Sequence, residues 1–287
     1  MKNKPLIGFI GQGWIGKHYA DSFENRGFKV VRYSKEQPYV TNKEKIREAD
    51  IVFIAVPTPT TKKGFNDSIV RDVIKYVGKS KIAVIKSTIK PGITESIQKQ
   101  YPDIYVLHSP EFLKEKTAKY DATNPTRNII GIPIKNKTYK LKAKIVLDVL
   151  PKAPISLITG AKEAELIKYG ANIFLYTKVV YANIMFDLAN SLKLNWEDIK
   201  NGIASDPRIG FSHFDPIDNS GHTKNKGRGA GGHCLIKDFA AFRELYQNIV
   251  DDPEGLKLLR QFERKNKQLL KDSNKDIDIL EGVYGKV

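Results

Sequence analysis

The sequence predicts an α/β protein: an N-terminal, doubly wound parallel sheet, then a long central helix and a smaller all-helical domain. Three observations predict it. Short β-branched apolar runs alternate with amphipathic stretches through the first half. A glycine-rich segment, Gly11-Gln12-Gly13-Trp14-Ile15-Gly16, comes directly after the first run and opens the first amphipathic stretch. An unbroken helical pattern then runs from Ala161 to Leu192, and helical patterns dominate the remainder of the chain.

The apolar runs are Leu6–Ile10, Val30–Tyr33, Ile51–Val56, Ile82–Ile85, Ile104–Leu107 and Asn128–Ile132, each short enough for a buried strand. Trp14–Asn25 and Asp67–Val77 read as helices between them. The long pattern is apolar on more than one face, as a domain connector or an oligomer interface would be, or equally a packed core helix. A short helix is expected around Asn195–Gly202. The stretch from Asp206 to Gly232 is dense in Gly and Pro and reads as loop. Helices are expected at Lys237–Gln247 and Pro253–Lys271, and strand at the tail IDILEGVYGKV. The domains so drawn are 1–158, 159–275 and a remnant at 276–287.

The chain has 287 residues, 41% hydrophobic and 28% charged, which is enough to bury a core and unlike a disordered chain. A single cysteine excludes an intrachain disulfide and clustered-cysteine metal sites, and no metal is expected. No apolar run is long enough to span a bilayer, and the glycine-rich N-terminus reads as a strand rather than a leader, so a reducing cytoplasm is the expected compartment. The net charge of +16 implies anionic partners. The lysines are scattered and no nucleic-acid motif accompanies them, so nucleic acid is not expected and nucleotide-like ligands fit better.

The glycine segment carries the clearest chemistry. Between a strand and a helix, its first glycine permits the turn, its second lets backbone approach a pyrophosphate, and its third lets helix and strand pack. This predicts a Rossmann-type, dinucleotide-binding domain. The acid expected after the second strand is missing: Ser34 stands there, with Glu36 two residues on. Arg32 and Lys35 flank Ser34 and could accept a 2′-phosphate, so NAD and NADP both remain open.

The lone Cys234 lies in GRGAGGHCLIKD, with glycines before it and Lys237 and Asp238 after it. It reads either as an inert core residue or as a nucleophile whose thiolate a nearby cation favours. Lys168 and Asn172 sit four apart on the long helix, with Glu165 a turn earlier. They form a solvated stripe or a pair that stabilises an oxyanion. Glu111 and Glu115 in HSPEFLKEK are likewise four apart, as a substrate ligand and general base or as loop charges.

Six segments in order, GFIGQGWIG, VPTPT, KSTIKPG, SPEFLKE, AELIKYGANIFLYTKVVYAN and GRGAGGHCLIKD, together resemble the UDP-glucose/GDP-mannose dehydrogenase family from the N-terminus to about residue 250. The resemblance implies oxidation of a nucleotide-sugar alcohol to an acid with two hydride transfers to NAD, UDP-glucose being the expected sugar nucleotide. The alternatives are a UDP-N-acetylhexosamine, GDP-mannose, or dinucleotide binding without turnover. It implies Cys234 as nucleophile, Lys168 and Asn172 at the oxyanion, Asp238 and Thr88 on a water, and Glu115 activating the hydrolytic water. Glu111, Phe112, Leu113, Lys114, Gly231 and, from a partner subunit, Arg208 would contact the sugar nucleotide. Gly11, Gly13, Trp14, Ile15, Gly16, Ser34, Lys35, Pro57, Thr58, Thr88, Glu115 and Lys237 would line the cofactor. The long helix would build a homodimer.

Two departures stand out. Ile236 replaces the family's proline in CLPKD, with little effect expected. About ten extra residues, among them His213, Asp215 and His222, separate Arg208 from the cysteine segment. The tail resembles the opening strand of the family's third domain. The expectation is therefore a natural short form, a fragment, or half of a split enzyme whose partner chain completes it.

Overall fold

A computed structural model describes residues 4–286, with Glu115 by its backbone only. In chain order the elements are β1 (Ile7–Ile10), α1 (Trp14–Asn25), β2 (Val30–Tyr33), β3 (Ile51–Ile54), β4 (Thr60–Thr61), β5 (Gly64–Phe65), α2 (Ser68–Ile74), β6 (Ile82–Ile85), α3 (Ile93–Gln100) and β7 (Tyr105–His108). Next come α4 (Ala118–Thr123), β8 (Arg127–Ile132), α5 (Lys137–Val149), β9 (Ile155–Gly160), α6 (Ala161–Ser191), α7 (Trp196–Ala204), β10 (Ile217–Asp218), β11 (Gly227–Arg228), α8 (Gly232–Ile249), α9 (Pro253–Asp272) and α10 (Ile277–Tyr284). The described residues hold no helix long and apolar enough to cross a membrane.

The chain folds as two compact units, 1–58 with 66–168, and 59–65 with 169–287. The first is built on a seven-stranded sheet ordered β2-β1-β3-β6-β7-β8-β9. β1, β3 and β6 are buried along their whole length, which is why they read as continuous apolar runs. The sheet is not wholly parallel as expected. β8 pairs antiparallel to β7 at His108 and Gly131, and parallel pairing resumes with β9. β9 is absent from the sequence expectation because it is an edge strand whose first three residues are exposed, so no buried run marks it. Phe9, Phe23 and Phe53 form the aromatic centre of the core under α1, with Phe9 and Phe53 stacked at 5.0 Å. The chain order reverses at β1, which has β2 on one side and β3 on the other, and the glycine segment leaves the sheet there.

In the second unit α6 packs with α8 and α9. Tyr176 and Phe239 stack at 3.9 Å in the core of that packing. At 1.5 Å per residue α6 is about 46 Å long. This unit is not all-helical: the hairpins β4–β5 and β10–β11 belong to it, the second inside the stretch expected as loop.

Two segments differ from expectation in ways that bear on function. The tail expected as strand is α10. Its Ile277, Leu280, Val283 and Tyr284 recur at helical spacing and pack on Ile236, Ala240 and Leu270. α8 starts at Gly232 rather than Lys237, so Cys234 lies in the first turn of a helix rather than in the loop before it.

Candidate active site

In the first unit the glycine segment has the geometry its spacing predicts. Gly11 has φ +92°, and a Cβ there would collide with the Ala55 carbonyl. Gly13 caps α1, and a Cβ on it would meet nothing within 4 Å. A Cβ on Gly16 would strike the Gly11 carbonyl oxygen, so close packing requires glycine there. No side chain caps α1, which leaves the amides of Trp14, Ile15 and Gly16 directed at the open space beside Gly13. Such a cradle fits a pyrophosphate. Trp14 is exposed, while Ile15 packs on the core. The Ser34 hydroxyl donates to the Glu36 carbonyl at 2.9 Å, and Lys35 is exposed.

The ends of β3 and β6 are tied together beside this cradle. Ser87 Oγ accepts the Val56 amide at 2.9 Å and donates to its carbonyl at 2.7 Å. Thr58 donates to the Thr88 carbonyl at 2.8 Å, while Pro57 stays exposed.

At the ends of β6 and β7 lies a buried polar cluster. The Lys86 ammonium donates to the carbonyl and hydroxyl of Ser109 at 3.3 and 3.2 Å and sits 4.4 Å from the Tyr19 ring centre. Burial, with Lys168 adding to it and Glu111 opposing it, pushes Lys86 down to about 8. His108, fully buried, is pushed down to about 3 by burial and by Lys86, and is therefore neutral. The buried Glu111 carboxylate accepts the Leu113 amide. The Phe112 ring has the Arg127 guanidinium 3.9 Å and the Lys168 ammonium 5.4 Å from its centre. The Lys114 amide donates to Asp121 at 3.0 Å, which braces the segment. Glu115's side chain lies outside the described residues.

Glu165 is no part of a solvated stripe. It is fully buried, and its carboxylate accepts the Gly92 amide at 2.6 Å and the amide and hydroxyl of Thr94 at 2.9 and 2.6 Å. It caps α3 directly after KSTIKPG. Burial outweighs these bonds and pushes its carboxyl up to about 7.

In the second unit the exposed Cys234 is the third residue of α8, where the helix dipole favours a thiolate. Asp238, one turn on and 1% exposed, accepts Asn172 Nδ2 at 2.6 Å and Lys237 Nζ at 2.5 Å. Burial lowers Lys237, but Asp238 and Cys234 outweigh it and hold the ammonium above its ordinary value. The network orients the Asn172 amide and keeps a cation charged near the thiol, as oxyanion and thiolate chemistry require.

The glycine-rich approach to Cys234 is shaped from far along the chain. Asn266 pairs with both backbone groups of Ala230, at 2.6 and 3.0 Å. Lys275 Nζ donates to the Gly229 carbonyl at 2.9 Å. Asp276 accepts the Gly232 amide at 2.8 Å, and Ser273 accepts that of Arg228, also at 2.8 Å. A Cβ on Gly231 would run into the Asp276 carboxylate. Sequence reasoning does not find these bracing residues, nor Lys86 and Arg127. The signals available for Lys86 are its place directly after a buried strand and at the head of KSTIKPG.

Arg208 is exposed and pairs with Asp206 two residues back, at 2.6 Å. Its loop is fixed by Lys178 of α6, which donates to the carbonyls of Ile209, Gly210 and Ser212 at 2.7, 2.8 and 2.6 Å. Thus the structure gathers Thr58, Thr88 and the glycine segment, and separately Glu111, Phe112 and Lys168, in the first unit. It gathers Asn172, Lys237 and Asp238 beside the Cys234 turn in the second. No metal-binding group of His, Cys, Asp and Glu occurs among the described residues.

Residues 34–146 match the NAD binding domain of the UDP-glucose/GDP-mannose dehydrogenase family, and residues 162–268 match its central domain. The chain is 29% identical to UDP-glucose 6-dehydrogenase of Rickettsia typhi over 91% of its own length and 66% of the relative's. The curated relatives first matched are longer: the chain spans about half to two-thirds of them. A solved UDP-glucose dehydrogenase from Pyrobaculum islandicum shares the fold, with a TM-score of 0.78 at 24% identity, covering 94% of this chain and 71% of that one. A 3-hydroxyisobutyrate dehydrogenase from Mycobacterium tuberculosis shares it at 16% identity with a TM-score of 0.71, covering 98% of both chains.

Proposed function

Because the chain belongs to the UDP-glucose/GDP-mannose dehydrogenase family, carrying its NAD-binding and central domains, we propose that it oxidises the primary alcohol of a nucleotide sugar to a carboxylate, with UDP-glucose as substrate. The observation that carries this reading is the Asn172–Asp238–Lys237 network one helical turn from the exposed Cys234.

Gly11, Gly13 and Gly16 with the first amides of α1 would hold the cofactor pyrophosphate, and Pro57, Thr58 and Thr88 would line its course. Bound NAD supplies the electron acceptor for both two-electron oxidations. In the first, the sugar alcohol gives up a hydride and a proton and becomes an aldehyde; Lys168 and Asn172 hold its oxygen. Cys234 Sγ then bonds to the aldehyde carbon, and the oxygen takes a proton to complete a thiohemiacetal. The second oxidation removes a hydride from carbon and a proton from oxygen and leaves a thioester. Water activated by Glu115 breaks the carbon–sulfur bond, releasing the carboxylate and returning the thiol. Asp238 and Thr88 position water for proton transfer. Glu111, Phe112, Leu113, Lys114 and Gly231 would contact the sugar nucleotide, and Arg208 would reach that of a partner subunit.

The partner would be a second copy docked along α6. This helix exposes Leu166, Phe174, Tyr181, Ile184 and Leu188, spaced near multiples of a helical turn. A reducing cytoplasm suits a free catalytic thiol.

The test is reduced-cofactor formation by the purified chain with UDP-glucose and NAD. Two equivalents per sugar are expected, and Cys234→Ser should abolish the four-electron product. Normal turnover by that variant would remove the nucleophile assignment. A panel with UDP-N-acetylhexosamines and GDP-mannose fixes the sugar. Cofactor binding without turnover on any of them would leave only a binding module.

A further inference from the structure

We propose that Asp21 and Glu24 of α1 set the cofactor preference by withholding Arg32 from the adenine-ribose end of the dinucleotide site, so that a 2′-phosphate finds no guanidinium to meet it. The proposal rests on the NAD-binding reading of the glycine segment.

Ser34 stands where such folds place an acid for the ribose hydroxyls, so the usual means of rejecting a 2′-phosphate is missing. Arg32 lies near the end of β2, two residues before Ser34. Arg32 Nη1 also comes within 3.4 Å of Gln12 Oε1, inside the glycine segment. An arginine so placed is the group that accommodates a 2′-phosphate.

Here that arginine is engaged. Its Nε donates to Glu24 at 3.0 Å, and its Nη2 donates to Glu24 and to Asp21, both at 2.7 Å. Glu24 thus holds the guanidinium in a two-point fork, the strongest geometry a carboxylate offers it. Lys17 takes the second oxygen of Asp21 at 2.8 Å, so two cations meet two anions. The Arg32 side chain is 9% exposed, while the carboxylates are 35% and 46% exposed. Asn42 fixes the Arg32 carbonyl at 3.0 Å, and with Tyr39 and Val30 these groups line a cavity of about 440 Å³.

Turning Arg32 toward a phosphate would strip a buried guanidinium of its partners and leave two carboxylates facing the incoming dianion. Both effects oppose NADP and leave NAD untouched. Lys35 offers only a solvated point charge on a flexible stem.

The test measures NAD and NADP affinities by titration calorimetry on the unmodified chain and on Asp21→Asn/Glu24→Gln. Each neutralised side chain keeps its shape but no longer holds the guanidinium by charge. The unmodified chain should prefer NAD. The double variant should raise NADP affinity relative to NAD by about tenfold or more, the scale of one charge-assisted hydrogen bond. Adding Arg32→Met should erase the gain. An unchanged ratio in the double variant, or a gain that survives removal of Arg32, overturns the proposal. A control needs no substitution: 2′-AMP should bind the unmodified chain no more tightly than 5′-AMP, and tighter binding of 2′-AMP overturns it too. Absence of NAD binding to the unmodified chain would instead overturn the cofactor reading.

Discussion

The two glycine-rich segments solve one problem in opposite ways. Both are stretches of backbone kept clear of side chains. Gly11–Gly16 is shaped by its own strand and helix: Gly11 turns over Ala55, Gly16 packs on Gly11, and nothing crowds Gly13. Gly227–Gly232 is shaped by side chains some forty residues downstream, from Asn266 to Asp276, which fill the space where its own side chains would be. A cradle that must admit a large ligand is best left open. A cysteine that serves as the proposed nucleophile is best held at a fixed point from behind.

The sharpest way to break this comparison is to add one methyl group to each segment. Gly229 has φ +89°, and a Cβ there would sit 2.9 Å from Asn266 Oδ1 and 3.1 Å from Leu269 Cβ. Gly229→Ala should therefore destabilise the second unit by about 3 kcal/mol or more, from backbone strain and overpacking together. Gly13→Ala has an ordinary φ and open space. It should change stability by less than about 0.5 kcal/mol yet weaken NAD binding about tenfold or more. The chain's two tryptophans report separately, Trp196 buried in the second unit and Trp14 at the glycine segment. Denaturant unfolding followed at Trp196, in a Trp14→Phe background, measures the first effect, and calorimetry the second. Similar costs from both substitutions would erase the distinction.

Asn266→Ala tests the bracing alone. It leaves both backbone groups of Ala230 without the side chain that pairs them, in a buried setting. A loss of about 2–3 kcal/mol is expected in the same Trp196 transition, with NAD affinity unchanged. A loss below about 0.5 kcal/mol would mean that the loop holds its own shape.

The same contrast explains how much of the molecule is legible in its sequence. The glycine segment, strands β1, β3 and β6, and helices α1, α6, α7 and α9 are local patterns, and their positions follow from spacing alone. β9 escapes because an exposed edge strand leaves no buried run. α10 escapes because IDILEGVY has the composition of a strand, which masks the helical spacing that its packing on Ile236 and Leu270 uses. With α10 goes Asp276, and with it the reason that Gly231 is glycine. Cys234, Asn172 and Asp238 can be nominated one by one, but not the hydrogen bond from Asn172 to Asp238 across two helices. Arg32 stands out as a cation near Ser34, while the acids that hold it lie on α1, where no short-range rule pairs them with β2.

The first unit also contains a brace of the remote kind, and it titrates. Glu165 reaches from α6 to cap α3, as Asp276 reaches from α10 to Gly232. The Glu165 carboxyl is pushed up by burial to about 7, from an ordinary value of 4.5. The folded state therefore holds the proton more tightly than the unfolded chain. The resulting stabilisation is fully present below about pH 4.5 and is lost as the pH rises through about 7. Between about pH 5.5 and 8 the loss should be about 2 kcal/mol. Glu165→Gln cannot titrate, so its stability should fall by about that much less over the same interval. The measurement is denaturant unfolding of both proteins at the two pH values, followed at Trp14 in a Trp196→Phe background. Parallel pH profiles would mean that the three donors of Gly92 and Thr94 keep the Glu165 carboxylate ionised despite its burial.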